Sequence, residues 1–184
     1  MPIEVEIKLK IESLSDVEFL LLEKKAHLQA IVSQRDIYFT HPERDFGRTD
    51  EALRIREEGD KCFLTYKGPK LDLQSKTRLE LETIINDAAT MTQILEKLGF
   101  QQLLVVQKER RIYQLERATI SLDILESLGT YLEIEQVIDN EEEYETIREQ
   151  LFDLLITLGL NPEENIRKSY LELLLEKQAQ NEKK

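Results

Sequence analysis

Hydrophobic and polar residues alternate along several short segments of the chain, most clearly at its start. In residues 3–9 (IEVEIKL), apolar side chains occupy the odd positions and charged side chains the even positions. A period of two places the apolar side chains on one face of a β-strand and the charged side chains on the other. Similar segments predict further strands at residues 31–40, 52–57, 61–67, 75–85, 102–115, 118–125 and 131–135. We therefore expect about eight antiparallel strands, each with one apolar face.

Other segments have the composition and end signals of helices. Helices are predicted at residues 15–27, 87–98, 140–158 and 171–177. Ser15 and Glu18 have the spacing of a capping box, and we expect His27 at the end of the first helix. Gly99 and Gly159 follow two of the other helices, where glycine commonly ends a helix.

The connections between the predicted strands contain one long polar segment. Residues 41–50 (HPERDFGRTD) include both proline and glycine, and their length predicts a functional flap or a mobile connection. Shorter turns at Glu58-Gly59-Asp60 and at Glu116-Arg117 are expected to join two hairpins.

Composition limits the class of protein. A chain of 184 residues with 41% hydrophobic content is sufficient for one domain with a sizeable core. A net charge of −12 argues against a non-specific nucleic-acid or membrane-surface binder, which would need a basic excess. The single cysteine, Cys62, excludes a disulfide framework within the chain and is expected in the core. We see no secretory signal and no apolar run of membrane-spanning length, so we expect a cytoplasmic protein.

The charged faces of the predicted strands carry the candidate chemistry. The carboxylates on these faces are Glu4, Glu6, Glu80, Glu82, Asp123, Glu133 and Glu135. The cations on these faces are Lys8, Arg54, Arg56, Lys67, Lys76, Arg78, Lys108 and Arg110. If helices cover the apolar face of the sheet, the sheet can close into a barrel with its charged face inside. A lumen with both charge types suits a polyanion together with a divalent metal, because arginine and lysine bind phosphate oxygens and carboxylates hold Mg²⁺ or Mn²⁺.

An ordinary β-sandwich with a solvated, salt-bridged outer face is the alternative. The sorting of the charges favours the lumen, since acids recur as E-x-E in three strands and cations as R-x-R or K-x-R in three. Two histidines, His27 and His41, are too few for a metal site built from histidine. Gly47 and Gly68 stand alone, so no glycine-rich phosphate loop is predicted.

These residues resemble the CYTH superfamily of triphosphate tunnel metalloenzymes, whose N-terminal signature is E-x-E-x-K. Residues 4–8 (EVEIK) match this signature. Further matches follow in the family's order at residues 53–56 (LRIR), 65–69 (TYKGP), 76–82 (KTRLELE), 108–110 (KER), 123, 129, 133–135 (EIE) and 169–170 (SY). Residues 34–39 (QRDIYF), 44–46 (RDF) and 49–54 (TDEALR) look most similar to the class IV adenylyl cyclase branch.

The resemblance implies an α+β fold, an eight-stranded antiparallel β-barrel that forms a triphosphate tunnel with flanking helices. It implies one tunnel domain over residues 1–178, with residues 179–184 as a flexible tail. The implied metal ligands are Glu4, Glu6, Asp123, Glu133 and Glu135, with Glu80 and Glu82 contributing directly or through water. The implied triphosphate-binding residues are Lys8, Arg54, Arg56, Lys67, Lys76, Arg78, Lys108 and Arg110. Lys8, Glu133 and Glu135 are the implied catalytic residues.

Three functions remain open from the sequence. The first is a class IV adenylyl cyclase that converts ATP to cyclic AMP and pyrophosphate with Mg²⁺ or Mn²⁺. The second is a triphosphatase that hydrolyses inorganic triphosphate, thiamine triphosphate or a nucleoside triphosphate, with Lys8 orienting or deprotonating the attacking water. The third is a non-catalytic sensor of a nucleotide or polyphosphate, although binding alone would require only the cations. The expected partner is a small-molecule triphosphate, without nucleic acid or membrane, and a homodimer remains an open alternative.

Overall fold

A computed structural model describes residues 3–70 and 78–182 of the chain. The strands are β1 (Ile3–Ile11), β2 (His27–Thr40), β3 (Ala52–Glu58), β4 (Lys61–Lys70), β5 (Arg78–Ile85), β6 (Gln101–Leu115), β7 (Ala118–Leu125) and β8 (Gly129–Ile138). The α-helices are α1 (Leu14–Glu23), α2 (Phe46–Thr49), α3 (Ala88–Lys97), α4 (Tyr144–Thr157) and α5 (Tyr170–Asn181). Short 3₁₀ turns at Glu141–Glu143 and Pro162–Glu164 precede α4 and α5.

The eight strands form a closed antiparallel barrel in the order β1-β5-β4-β3-β2-β6-β7-β8. The barrel closes where Glu4 of β1 pairs with Arg78 of β5, while the other edge of β1 pairs along its whole length with β8. The predicted barrel is therefore confirmed. The turn predicted at Glu58-Gly59-Asp60 is present, with Glu58 and Lys61 paired across it. The φ of Gly59, 56°, lies in the left-handed region that glycine adopts without strain.

Buried apolar side chains of several strands point outward and pack against the helices. Val5, Ile7 and Leu9 of β1 are almost fully buried and belong to a core that includes Leu21 of α1 and Leu155 of α4. A second core packs β2 and β3 against α3, with Ile37, Ile55 and Leu95 at its centre. Because side chains alternate along a strand, this burial leaves the charged positions facing the interior of the barrel.

The first helix begins and ends earlier than predicted. Ser13, and not Ser15, is the N-cap, since its side chain accepts a hydrogen bond from the Asp16 backbone N–H. The capping box predicted for Glu18 was wrong, because that carboxylate instead pairs with a side chain of β6. His27 does not end the helix but begins β2, where pairing with β6 outweighs the local helical pattern.

The segment 41–50 and the last helix also differ from the sequence expectation. The segment 41–50 contains the short helix α2, whose N-cap Asp45 accepts hydrogen bonds from the backbone N–H groups of Gly47 and Arg48. The last helix continues past Lys177 to Asn181. The predicted start of the fifth strand, at Ser75, lies outside the described residues. None of the described helices is long and apolar enough to span a membrane.

Candidate functional site

A cavity of about 880 Å³ lies within the barrel, and charged side chains from seven strands line it. Most of the charged residues singled out in the sequence meet here: Glu4, Glu6, Lys8, Arg54, Arg56, Lys67, Arg78, Glu80, Glu82, Lys108, Arg110, Glu133 and Glu135. The structure thus brings together on one surface residues that are far apart in the chain. Lys76 lies outside the described residues, and Asp123 lies behind the cavity wall.

Lys8 is fully buried and is held from several sides. Its Nζ lies 3.0 Å from Glu133 Oε1 and donates a hydrogen bond of 3.3 Å to the backbone carbonyl of Lys168. The same Nζ lies 3.6 Å from the centroid of the Tyr170 ring, within the range of a cation–π contact. Lys8 therefore has a fixed position at the point where β1, β8 and the C-terminal segment meet.

Asp123 supports two of the cations from behind. It is fully buried, and its carboxylate accepts hydrogen bonds from Lys108 Nζ at 2.9 Å and from both Arg110 Nε and Arg110 Nη2 at 2.6 Å. The Tyr170 hydroxyl donates a further hydrogen bond of 2.8 Å to the same carboxylate. These four donors surround the carboxylate in the structure. The assignment of Asp123 as a metal ligand stays a prediction.

The pKa values of two buried cations on β6, Lys108 and Arg110, differ from their ordinary values. Burial, reinforced by the neighbouring Arg110, lowers the pKa of Lys108 to about 8. Burial alone would lower the pKa of Arg110, but Asp123 and Glu133 outweigh it and hold that pKa well above its ordinary value. Arg110 also donates a hydrogen bond to Glu133. The cavity thus contains an arginine that stays charged and a lysine that can titrate at mildly alkaline pH.

Sequence reasoning missed Asp36 of β2, a buried charged residue of this cavity. Its carboxylate forms a bidentate pair with Arg56, with Oδ1 2.6 Å from Nε and Oδ2 2.7 Å from Nη2. Arg54 Nη1 donates to the same Oδ2 at 3.2 Å. Burial opposes ionisation of Asp36, but the two arginines prevail and hold its pKa well below the ordinary value. The residues two positions away on its own face, Gln34 and Tyr38, are uncharged, so Asp36 carries no E-x-E signal and its role depends on the register of β2 against β3.

The acids of β1 and β5 lie on the opposite side of the cavity. Lys67 donates a hydrogen bond to Glu80, and its Nζ lies 3.6 Å from Glu4 Oε2. Burial would raise the pKa of Glu80, but a hydrogen bond to Glu4 and the charges of Lys67 and Arg54 lower it to about 2. Glu82, nearer the solvent, accepts a hydrogen bond of 2.7 Å from Thr65.

The pKa of Glu135 is shifted in the opposite direction from that of Glu80. Burial raises its pKa well above the ordinary value, and the negative charges of Glu4, Glu6 and Glu133 raise it further. Carboxylates that repel one another in a recessed site are stabilised by a divalent cation between them. This part of the cavity therefore has the donor chemistry that Mg²⁺ or Mn²⁺ requires.

The acids are not assembled into an ion-binding cage. In the described part of the chain, no three histidine, cysteine or acidic side chains converge in a way that would hold a metal ion by themselves. Mg²⁺ commonly takes only one or two protein carboxylates and completes its coordination with water and substrate phosphates. The donor set fits an ion that binds together with a phosphorylated ligand.

The C-terminal segment covers one end of the site. The backbone N–H of Ile166 donates to the Lys8 carbonyl at 2.7 Å, and Tyr170 packs edge-on against Tyr131 with a centroid distance of 5.3 Å. A capping box between Ser169 and Glu172 begins α5 at this point. Leu171 and Leu175 of α5 also line the cavity, which sequence reasoning did not anticipate.

Comparison with known proteins adds a family match. The CYTH domain model matches residues 2–170 of the chain. A protein of Methanocaldococcus jannaschii named "Putative adenylate cyclase MJ0240" is 44% identical over 178 residues, which cover 93% of this chain and 98% of the relative. Adenylate cyclase CyaB of Aeromonas hydrophila is 30% identical over 174 residues, covering 91% of this chain and 86% of the relative.

The solved structure of the PH1819 protein from Pyrococcus horikoshii OT3 has the same fold. It superposes with a TM-score of 0.88 at 42% sequence identity, covering 95% of this chain and 99% of that one. The likeness therefore extends over nearly the whole barrel and its helices.

Proposed function

The chain belongs to the CYTH domain family, and on this premise we propose that it is a divalent-metal-dependent enzyme that converts ATP to cyclic AMP and pyrophosphate inside its barrel. The proposal depends on one observation, that clustered cations and clustered acids line the same cavity. A site that only bound a polyanion would need the cations alone, whereas acids such as Glu135 oppose binding unless a metal ion joins them. The names of the relatives from M. jannaschii and A. hydrophila support the choice of reaction.

The cations of the cavity would bind the phosphate chain. The proposed phosphate-binding residues are Lys8, Arg54, Arg56, Lys67, Lys76, Arg78, Lys108 and Arg110. Arginines present several N–H donors in a planar arrangement that matches phosphate oxygens. Because Asp36 orients Arg54 and Arg56, and Asp123 orients Lys108 and Arg110, the donors need little reorganisation when the substrate enters.

The acidic residues of the cavity would bind the divalent metal ion. The proposed metal ligands are Glu4, Glu6, Glu80, Glu82, Asp123, Glu133 and Glu135. When bound, the divalent ion would neutralise charge on the phosphates and make the attacking hydroxyl more acidic. Among these residues, Glu133 and Glu135 are the proposed catalytic carboxylates, because Glu133 contacts Lys8 and Arg110 and Glu135 lines the cavity two residues further along β8.

The proposed reaction is an in-line displacement. The 3′-oxygen of the ribose forms a bond to the α-phosphorus, and the bond from the α-phosphorus to the bridging oxygen breaks, so that pyrophosphate leaves. Glu135, in its ionised form, would accept the hydroxyl proton. Lys8 and Arg110 would stabilise the charge that develops on the phosphate oxygens.

Product analysis tests the proposal. The protein is incubated with ATP, thiamine triphosphate or inorganic triphosphate and with Mg²⁺ or Mn²⁺, and products are followed by phosphorus NMR and chromatography. Cyclic AMP with an equal amount of pyrophosphate is the expected result. Release of orthophosphate without a cyclic product would replace the cyclase with a triphosphatase, and binding without turnover of any substrate would replace it with a sensor.

Two arginines on neighbouring strands provide a matched pair of variants for this assay. Arg54 is buried in the cavity, with 9% of its side chain exposed, whereas Arg35 has 42% exposed and pairs with Glu57 on the barrel surface. We expect Arg54→Gln to abolish most turnover and Arg35→Gln to leave it unchanged. Equal effects of the two substitutions would argue that the cavity is not the active site.

A further inference from the structure

A second cavity lies on the outside of the barrel. It measures about 320 Å³ and is formed where the C-terminal end of α1, the turn between β6 and β7, β8 and α4 meet. Among the described residues, none lines both this cavity, which we call the outer cavity, and the one inside the barrel. Pockets that hold small organic ligands measure roughly 300–1,000 Å³. The outer cavity is therefore large enough for a ligand at the lower end of that range.

Part of the outer cavity wall is apolar. Leu151 of α4 is only 2% exposed and belongs to the core between the barrel and α4. Leu115 of β6 and Leu154 of α4 pack against the same core and also line the cavity. Ala118 of β7 completes this apolar part, and its methyl side chain occupies little of the space. A ligand with an apolar body could bury it here and gain from leaving water.

A buried polar side chain, that of Gln136 in β8, also lines the outer cavity. It lies on the outward face of its strand, because Glu135 lines the barrel cavity whereas Ile134 and Ile138 belong to the core outside the barrel. Gln136 is only 8% exposed. Within residues 3–70 and 78–182, its side-chain amide forms no hydrogen bond. Buried polar groups normally have a hydrogen-bond partner, so this amide is placed to bind a polar group inside the cavity.

The solvent side of the outer cavity carries an excess of positive charge. Lys24, the C-cap of α1, and the exposed Arg117 of the β6–β7 turn both line it. In the part of the chain that the structure describes, neither of these two cations forms an ion pair. Glu116, which is exposed, contributes one negative charge to the same lining. On a chain with a net charge of −12, this local excess favours an anionic ligand.

From this arrangement we infer that the outer cavity is a binding site for a small organic anion, a carboxylate carried on an aromatic or aliphatic body. The body packs on the leucines of the apolar wall. The carboxylate accepts a hydrogen bond from the Gln136 amide and is attracted by Lys24 and Arg117. The inference goes beyond the proposed function and does not depend on it, because the two cavities share no lining residue among those described.

The test uses phenylacetate, which joins an aromatic ring to a carboxylate, and two comparison compounds. Acetate lacks the ring, and phenylacetamide lacks the charge. Binding to the full chain, labelled at its leucine methyl groups, is followed by NMR. We expect phenylacetate to shift the signals of Leu115, Leu151 and Leu154 but not those of Leu103 and Leu171, which line the barrel cavity. Each comparison compound should bind more weakly by about threefold or more.

Matched substitutions test the polar contacts. Gln136→Leu removes the amide at similar volume and should weaken phenylacetate binding by about tenfold, the scale of one hydrogen bond to a charged group. Gln107→Leu changes an exposed glutamine of β6 that lines neither cavity and should have no effect. Arg117→Gln should weaken binding by about threefold, whereas Arg48→Gln, also exposed and outside both linings, should leave it unchanged.

The acid of the lining provides a test of the opposite sign. Glu116→Gln removes a charge that repels the carboxylate, so phenylacetate should bind about twofold more tightly. Thermal melting of each variant verifies that the barrel is intact. If Gln136→Leu does not fold, the exposed positions 116 and 117 still decide the question.

Two results would overturn the inference. The first is that phenylacetate at concentrations up to about 10 mM, which would detect even millimolar affinity, leaves the signals of the three lining leucines unchanged. The second is that it binds the variants at positions 116, 117 and 136 as tightly as the unchanged protein. Either result would mean that the outer cavity holds only water.

Discussion

Asp36 and Arg56 form a bidentate ion pair across β2 and β3, with both contacts between 2.6 and 2.7 Å and only 4% and 11% of the two side chains exposed. The pair lies in the cavity wall, and Asp36 also accepts a hydrogen bond from Arg54. One buried acid therefore determines the orientation of two of the proposed phosphate-binding cations.

We expect Asp36→Asn to destabilise the protein and to impair catalysis. Removing one partner of a buried pair leaves the other charges without compensation and costs about 3 kcal/mol. The cavity becomes more positive, so the KM for the triphosphate should not rise, but kcat should fall because Arg54 and Arg56 lose the group that orients them. Urea unfolding and steady-state kinetics measure the two effects.

The surface pair Arg35–Glu57 on the same two strands is the control. Its side chains are 42% and 39% exposed, so water screens the attraction. Glu57→Gln should change the free energy of unfolding by less than about 1 kcal/mol. If the two substitutions cost the same, the buried pair has no special structural role.

We expect Glu135→Gln to abolish turnover while triphosphate binding persists. Glutamine keeps the shape of the side chain but can neither ionise nor accept the hydroxyl proton, so kcat should fall by about 100-fold or more. Binding should be retained, because the phosphate-binding cations are untouched. Calorimetry with 3′-deoxyATP, which lacks the attacking hydroxyl, measures binding, and the product assay with ATP measures turnover.

Glu12, exposed just beyond β1, provides the comparison for this substitution. Glu12→Gln removes the same charge outside the cavity and should leave turnover unchanged. Substantial turnover in Glu135→Gln would rule out the assigned role of that carboxyl group.

The contact between Glu18 of α1 and Tyr113 of β6 predicts a dependence of stability on pH. Burial and the hydrogen bond to Glu18 raise the pKa of Tyr113 to about 12. A raised folded-state pKa stabilises the protein below the unfolded value of about 10, and this contribution is lost as the pH rises from about 10 to 12. Tyr113→Phe should therefore be less stable than the unchanged protein at pH 7 by about 1 kcal/mol, with a smaller difference at pH 11.

Glu18, the other partner of this contact, has a lowered pKa, so its contribution to stability depends on pH in the opposite direction. The hydrogen bond from Tyr113 and the charge of Arg111 lower the pKa of Glu18, outweighing its partial burial. Its stabilising contribution is present above the unfolded pKa of about 4.3 and disappears as the pH falls through the lower folded value. Glu18→Gln should be less stable than the unchanged protein at pH 7, and the difference should vanish at low pH. Urea unfolding midpoints of the variant and of the unchanged protein are measured across the pH range. If this interpretation is wrong, the difference between the two proteins will be the same at every pH.

We expect Tyr170→Phe to loosen the C-terminal segment. The substitution retains the ring that packs on Tyr131 and Lys8 but removes the hydrogen bond to the buried Asp123 carboxylate. A hydrogen bond to a charged group contributes about 1.5 kcal/mol or more. Amide hydrogen exchange in residues 165–181 should accelerate, with β2 and β6 unaffected. Unchanged exchange in α5 would show that the apolar packing alone holds this segment.

The sequence predicted the barrel more completely than it predicted the charged site. The alternation in residues 3–9 and 131–135 determined which side chains of β1 and β8 share a face, because successive residues of a strand point to opposite sides. It could not reveal Asp36, whose importance depends on Arg54 and Arg56 reaching it from the neighbouring strand. The Glu18 capping box failed for a similar reason, since a local pattern was overridden by Arg111 and Tyr113 of β6.

The sequence by itself determined the strand faces, the two sets of opposite charges and the family resemblance, because each of these depends on the spacing of residues along the chain. Only the tertiary structure decided which charges lie together, that Asp123 lies behind the cavity wall, and that Phe46 and Leu171 line the same cavity as the charges. These relationships depend on the order and register in which eight strands close into a barrel and on where α5 packs. Contacts between residues that are distant in the chain leave no periodic signal in either segment.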